Sequence, residues 1–237
     1  MIGSENVEED DEDKESSLSG LNEHQKIAPR RPPRFELVGD NLALDFVNTL
    51  DDRHTQPKDL LATYADLLRF GEDSGAIDPG LFDRLLERSH LVQHKTQEIL
   101  QQARELREII HDVFWAVINR RPVPAAALAK LNAAAVTAAG HMHLVPVKDG
   151  FEWRFDDFGA WDAMLWPIAR SAAELLASDQ LPYVHACSSK TCQWLFLDTS
   201  KNHRRRWCDM TNCGNRAKVN RFYSRKRTTA ATTKGKK

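Results

Sequence analysis

The sequence predicts an α+β fold in which helix predominates: a mainly helical N-terminal domain with a small β-hairpin, followed by a small four-cysteine module of hairpin plus helix. Three observations carry this. Over residues 96–119, Ile99, Leu100, Ala103, Leu106, Ile109, Ile110, Val113, Phe114 and Val117 recur at the spacing of one helix face, which makes the segment the spine of its domain. Lys148-Asp149-Gly150 separates two short apolar runs, 143–147 and 151–155, and Asp-Gly in that setting is a strong hairpin signal. The four cysteines of the chain fall within 27 residues, as Cys187-x4-Cys192 and Cys208-x4-Cys213.

Residues 1–34 are too charged and too rich in Ser and Pro to fold, and form a disordered acidic arm. Within it, 1–23 hold nine acidic residues against Lys14, a formal −8. The helical domain spans 35–180. It opens with a short strand at 35–38 and an apolar segment at 42–50 that reads as helix. Thr63 caps a helix over 64–71, and Pro79 opens another that runs to about His90. Pro124 opens an Ala-rich helix to about residue 139, whose small side chains permit close packing. After the hairpin, an amphipathic helix over 161–178 is broken by Leu181-Pro182 just ahead of the first cysteine. The cysteine module occupies 183–227, and 228–237 is a disordered basic tail.

A chain of 237 residues with 41% hydrophobic content suits one ordinary domain plus a small module. No apolar run is long enough to span a membrane, and the acidic N-terminus lacks the apolar core of a secretory signal. A cytoplasmic protein without a membrane partner is expected. The net charge of −1 hides a partition: from Cys187 onward, fourteen Lys and Arg stand against Asp198 and Asp209 alone, a formal +12.

Two short Cys spacings separated by a longer insert bring four soft thiolates to one tetrahedral ion, the arrangement of a closed structural zinc site. In a reducing compartment disulfides are the weaker alternative. Cys187, Cys192, Cys208 and Cys213 are therefore expected to hold one structural Zn2+. His185, His203 and Asp209 stand close by, but four thiolates leave them no vacancy. With the thiolates and the dication counted, this end still carries about +10, an electrostatic footprint for nucleic acid.

Residues 194–200 read as a strand and turn, and a helix opens at Gly214 or Asn215 with Ala217, Val219, Phe222 and Tyr223 available for packing. On that helix Lys218, Arg221 and Arg225 lie at i, i+3 and i+7, sharing a face that can follow a phosphate backbone. Arg204, Arg205 and Arg206 form a second cluster on the loop. Arg216 stands at the helix start, where unpaired N–H groups offer one more place for a phosphate. Trp194 and Trp207 read as caps on the small metal core rather than as base-stacking platforms.

The string from Cys187 to Arg227 carries Cys-x4-Cys-x-Trp-Leu-Phe-Leu-Asp-x-Ser, Arg-Arg-Trp-Cys and Cys213-Gly214-Asn215-Arg216-x-Lys218, and it resembles the CGNR zinc finger. Upstream, Leu37-Val38-Gly39-Asp40-Asn41-Leu42-Ala43-Leu44-Asp45-Phe46-Val47-Asn48-Thr49, with Arg53, is similar to the opening of the ABATE domain. That domain precedes the finger in bacterial proteins regarded as stress-induced transcription regulators. The resemblance implies a DNA-binding regulator. The two-part layout adds the expectation that the N-terminal domain senses a signal or forms a homodimer while the finger grips DNA.

Asp45, Asn48 and Arg53 are candidates for a small-molecule effector pocket, because polar residues inside an apolar segment must find partners when buried. A buried structural network is the alternative for the same residues. No Gly-rich phosphate loop, nucleophile elbow or His-Glu-x-x-His motif is present. His90 and His94 lack the intervening Glu of a metalloprotease helix, and with His111 they read as surface histidines. The chain is thus read as a non-enzyme. An enzyme site around Asp45 and Arg53 is one alternative, and an RNA-binding or ribosome-associated zinc protein is another.

Overall fold

A computed structural model of the chain describes residues 34–53, 55–156 and 159–223. The acidic arm apart from Arg34, the basic tail and Arg225 lie outside the described residues. Helix α1 (Leu42–Val47) starts at Asn41, whose side chain accepts the Ala43 and Leu44 N–H groups. It sits at the centre of the core: Ala43, Leu44, Phe46 and Val47 are at most 2% exposed. Around it run α2 (Tyr64–Asp73), α3 (Pro79–Ser89), α4 (Gln93–Ile118), α5 (Ala125–Gly140) and α6 (Leu165–Leu176).

The caps follow the local chemistry. Thr63 and Asp66 form a reciprocal capping box at the start of α2, and Asp78 caps α3 ahead of Pro79. Helix α4 packs against α1, α2, α5 and α6 through the predicted stripe, with Ile99, Ala103, Ile110, Val113 and Phe114 all buried. Helix α6 begins later than its apolar pattern suggests, because 161–164 turn instead. There the Tyr64 hydroxyl donates to the Trp161 carbonyl at 2.8 Å, and the Arg88 guanidinium lies over the Trp161 ring at 4.5 Å.

Residues 35–38 do not form the expected strand. The segment is spent on other partners: Phe35 packs edge-on against Phe70 with centroids 5.4 Å apart, while the Val38 and Gly39 carbonyls accept from Arg205 and from Leu197 N–H. A two-residue strand pair, β1 (Leu50–Asp51) with β2 (Lys58–Asp59), closes the loop after α1 and has no counterpart in the apolar pattern. Arg107 of α4, 3% exposed, holds it by donating to both Asp59 oxygens at 2.7 and 2.8 Å. Burial works to raise the Asp59 pKa, but the hydrogen bonds and charge of Arg107, with help from Arg104, outweigh it and hold the carboxyl below its usual range.

Strands β3 (Met142–Val147) and β4 (Gly150–Phe155) make the expected hairpin, in register from Met142↔Phe155 to Val147↔Gly150. Its turn is Lys148-Asp149, with Gly150 closing the ladder at φ 149°. The base meets the core through Phe155 against Trp166, and the rest stands exposed.

Strands β5 (Val184–Ala186) and β6 (Leu195–Leu197) pair antiparallel, and residues 215–223 form helix α7. The pattern of the sequence places a domain boundary near 181–182, yet β6 faces both ways. Leu195 and Leu197 join the main apolar core, while Phe196 faces the cysteines. This is the alternation of a strand, here shared between two centres in one compact unit.

Candidate metal centre and basic surface

The cysteines are brought together by two turns tied to each other through the backbone. Cys187 leaves β5 and donates its N–H to the Trp194 carbonyl at 2.8 Å, while Ser188 N–H donates to Arg206 O at 2.8 Å. Gln193, at φ 53°, reverses the chain between Cys192 and β6. The second pair is spaced by a turn over Met210–Gly214 that Asp209 caps by accepting from Thr211 N–H.

The four Sγ atoms all lie within 4.8 Å of one another, with Cys192 to Cys208 at 3.6 Å and Cys208 to Cys213 at 3.7 Å. Sulfurs at the usual Zn–S bond of about 2.3 Å form a tetrahedron with edges of about 3.8 Å, so this donor set fits zinc. Every cysteine is at most 6% exposed and none is in a disulfide. Hydrogen bonds with Cys192 and Cys208 pull the Cys187 thiol down, and hydrogen bonds with Cys187 and Cys192 push the Cys208 thiol up. Thiols this close ionise together only around a cation, so the four residues form a site for one structural zinc with no position left open.

The nearby alternatives are occupied elsewhere. His203 stacks on Tyr183 at 3.9 Å, His185 meets Phe196 edge-on at 6.0 Å, and Asp209 serves its own turn. Trp194 and Trp207 pack against the metal core, as their position beside the ligands suggests.

A seam joins this centre to α1. Asn48, 3% exposed, uses its side-chain amide like a strand: it donates to Leu195 O and accepts from Leu195 N–H, both at 2.9 Å. Gly39 O takes the Leu197 N–H at 2.9 Å, so the outer edge of β6 is covered. Asp45 accepts from Gly39 N–H at 2.7 Å, and a Cβ on Gly39 would stand 2.9 Å from that carboxylate. Burial pushes the Asp45 pKa up to about 6, against the lowering effect of the Gly39 hydrogen bond.

Arg53 pairs with Glu108 on α4. Asp45, Asn48 and Arg53 therefore do not converge. Asn48 and Arg53 share a cavity of about 10 Å³ with His111 and Trp194, about the least space that holds one water, and Asp45 does not reach it. His111 is buried, not a surface histidine: it stacks against Trp115, and burial followed by the Arg53 charge lowers its pKa. A second cavity of about 110 Å³ opens beside the metal ligands, lined by Glu36, Asp51, Asp52 and Arg216.

The consecutive arginines separate in space. Arg204 and Arg206 are exposed, as are Lys218 and Arg221 on α7, and none of the four has an ion-pair partner among the described residues. Arg206 lies over Trp207 at 5.3 Å. Arg205 instead turns inward, pairing with Asp40, donating to the carbonyls of Val38, Trp207 and Cys208, and lying 4.6 Å above the Phe196 ring. Asp198, 1% exposed, organises the loop by accepting from Ser200 and from Arg205 N–H. Arg216 donates to Cys213 Sγ at 3.4 Å.

Two expectations about α7 change. Its first N–H groups are not free, because α7 continues the Met210–Gly214 turn and Asn215 N–H bonds back to that turn; the N-terminus of the whole stretch is taken by the Asp209 carboxylate. Val219, Phe222 and Tyr223 are 50–59% exposed rather than packed, and Ala217 alone among the four is half-buried.

Fold and site together define a class: a helical domain joined to a closed four-cysteine zinc module. Residues 40–179, more than half of the chain, match the model of the ABATE family, described as "Putative stress-induced transcription regulator", and residues 184–226 match the CGNR zinc finger. The chain belongs to the ABATE family and carries a CGNR finger behind that domain. A search of curated protein sequences finds no match to the chain. Among the described residues, no helix is long and apolar enough to cross a membrane.

Proposed function

We propose that the chain is a DNA-binding transcription regulator in which the zinc-held finger grips the duplex and the helical domain receives the signal. The observation that carries this is the set of exposed cations without an ion-pair partner among the described residues, Arg204, Arg206, Lys218 and Arg221, mounted on a frame that the four cysteines would tie together around the metal. Phosphate contacts supply most of the affinity of such a surface, and a few side chains select bases. Arg225, outside the described residues, continues the i, i+3, i+7 spacing of Lys218 and Arg221 in the sequence. Arg205 acts behind this surface, fastening the loop to Val38 and Asp40, while Arg216, exposed like the other four, also hydrogen-bonds a ligand thiolate. Because Asn48 links α1 to β6, a rearrangement of the helical domain reaches the finger through two hydrogen bonds.

The test is selection of bound fragments from a random duplex pool by the zinc-loaded chain, at near-physiological salt with competitor. An enriched motif, lost in a Cys208→Ser/Cys213→Ser chain, is the expected result. Binding without a motif that structured RNA competes away would replace DNA by RNA as the partner.

A further inference from the structure

The β3–β4 ribbon exposes an aromatic face with no use in the reading above. Pairing Leu144 with Trp153 and Pro146 with Phe151 puts these four side chains on one side, and Leu144, Trp153 and Phe151 are 54%, 56% and 72% exposed. A lone two-stranded ribbon is marginal in water, and a third or fourth strand stabilises it. Its two edges differ. Asp156 N–H donates to His141 O at 2.8 Å, which sets the phase of the ladder: His143 with Arg154, Val145 with Glu152 and Val147 with Gly150 bond across the ribbon.

The backbone groups of Leu144 and Pro146 therefore face away from β4, and those of Phe151, Trp153 and Phe155 face away from β3. Pro146 has no N–H to offer, so the β3 edge is closed to another strand. The β4 edge is open, and among the described residues no backbone partner meets Phe151 or Trp153 there.

We propose that β4 pairs antiparallel with β4 of a second copy about a twofold axis at Trp153, joining two ribbons into one four-stranded sheet. Charges on an edge strand normally repel a further strand, but here the pattern is complementary to itself. With the axis at Trp153, Glu152 lies opposite Arg154 of the second copy, twice over, and the aromatic residues meet as Trp153 with Trp153 and Phe151 with Phe155. Within one chain Glu152 and Arg154 are same-face neighbours and already pair, at 46% and 60% side-chain exposure. Moving the axis by one residue sets Glu152 against Glu152 or Arg154 against Arg154, and like charges directly opposite destabilise a sheet. Both one-residue shifts are thus selected against, and the axis at Trp153 is the register that makes the Glu152–Arg154 pair twice.

Sedimentation of the full zinc-loaded chain is expected to show a dimer. Glu152→Arg or Arg154→Glu alone, each creating two like-charge pairs, weakens dimerisation by about tenfold, and the double exchange restores it. Trp153→Cys closes a disulfide across the axis under mild oxidation, whereas Arg154→Cys, which faces Glu152, does not. Circular dichroism checks the fold of each variant, all at exposed positions. A monomeric chain, a dimer indifferent to single charge reversal, or equal cross-linking at 153 and 154 overturns the proposal. Those outcomes leave the DNA-binding reading standing, because no residue of the ribbon belongs to the basic surface.

Discussion

The helical domain and the finger both enclose a centre, and they do it with different materials. Around α1 the centre is apolar, built from side chains of five further helices, with Phe46, Phe70 and Phe114 fully enclosed. Among the described residues, Phe196 is the one large side chain fully buried with the cysteines, with Val38, Trp194 and Trp207 at the rim. Such a small apolar set cannot offset the entropy of ordering the loops, so coordination replaces hydrophobic burial as the organising force. What the difference teaches lies at β6, which contributes to both centres at once. Two centres of unlike chemistry are made interdependent by one three-residue strand.

The comparison breaks most severely on the helical side at Arg107. Asp59→Ala removes the bidentate partner of that buried guanidinium and leaves it the Glu108 carboxylate at 3.3 Å, and the expected loss is about 3–4 kcal/mol in urea unfolding, equal with and without zinc. At the seam the loss depends on the metal. Asn48→Ala orphans the Leu195 N–H and C=O, 1% exposed, and costs about 2–4 kcal/mol in the zinc-loaded chain but little after chelation. Equal losses in the two states would show that β6 is held without the finger.

A pH effect of similar or smaller size sharpens the account of α1. The Asp45 pKa is raised in the folded chain from 3.8 to about 6, so the native state holds a proton that the unfolded state has already released. Stability from this group is present below the unfolded value and is lost as pH rises between about 4 and 6, by up to about 3 kcal/mol. Asp45→Asn is expected to flatten that part of the stability curve. A slope unchanged by the substitution would contradict the assignment. The smallest effect on stability belongs to the outer surface: Arg206→Ala with Lys218→Ala shifts unfolding by less than about 0.5 kcal/mol, yet lowers the salt dependence of DNA binding by about two phosphate contacts. An unaltered salt slope would remove those two residues from the interface.

Much of this was legible in the chain. Helix α4 follows from its apolar period, the starts of α2 and α3 from Thr63 and Pro79, the ribbon from its turn, and the metal site from four cysteines at short spacing. These signals are local, decided within a few residues. What was not legible depends on partners far along the chain. Arg204, Arg205 and Arg206 are the same residue three times, and only the position of Val38 and Asp40 turns the middle one inward. Asn48 meets Leu195 across 147 positions of sequence, and Arg107 meets Asp59 across 48. The polar residues near α1 announced burial, but whether they lined a pocket or formed a seam depended on where β6 would lie.

The most direct test of the interdependence of the two centres is a thermal melt of the zinc-loaded and chelated chain, followed by far-ultraviolet circular dichroism, which reports the helices of the ABATE domain. The account predicts one cooperative transition with zinc, and a helical midpoint that falls when the metal is withdrawn, because Leu195, Leu197 and Val184 leave the main core with the finger. A helical midpoint unchanged by chelation would contradict it and make the finger a separate module on a shared chain.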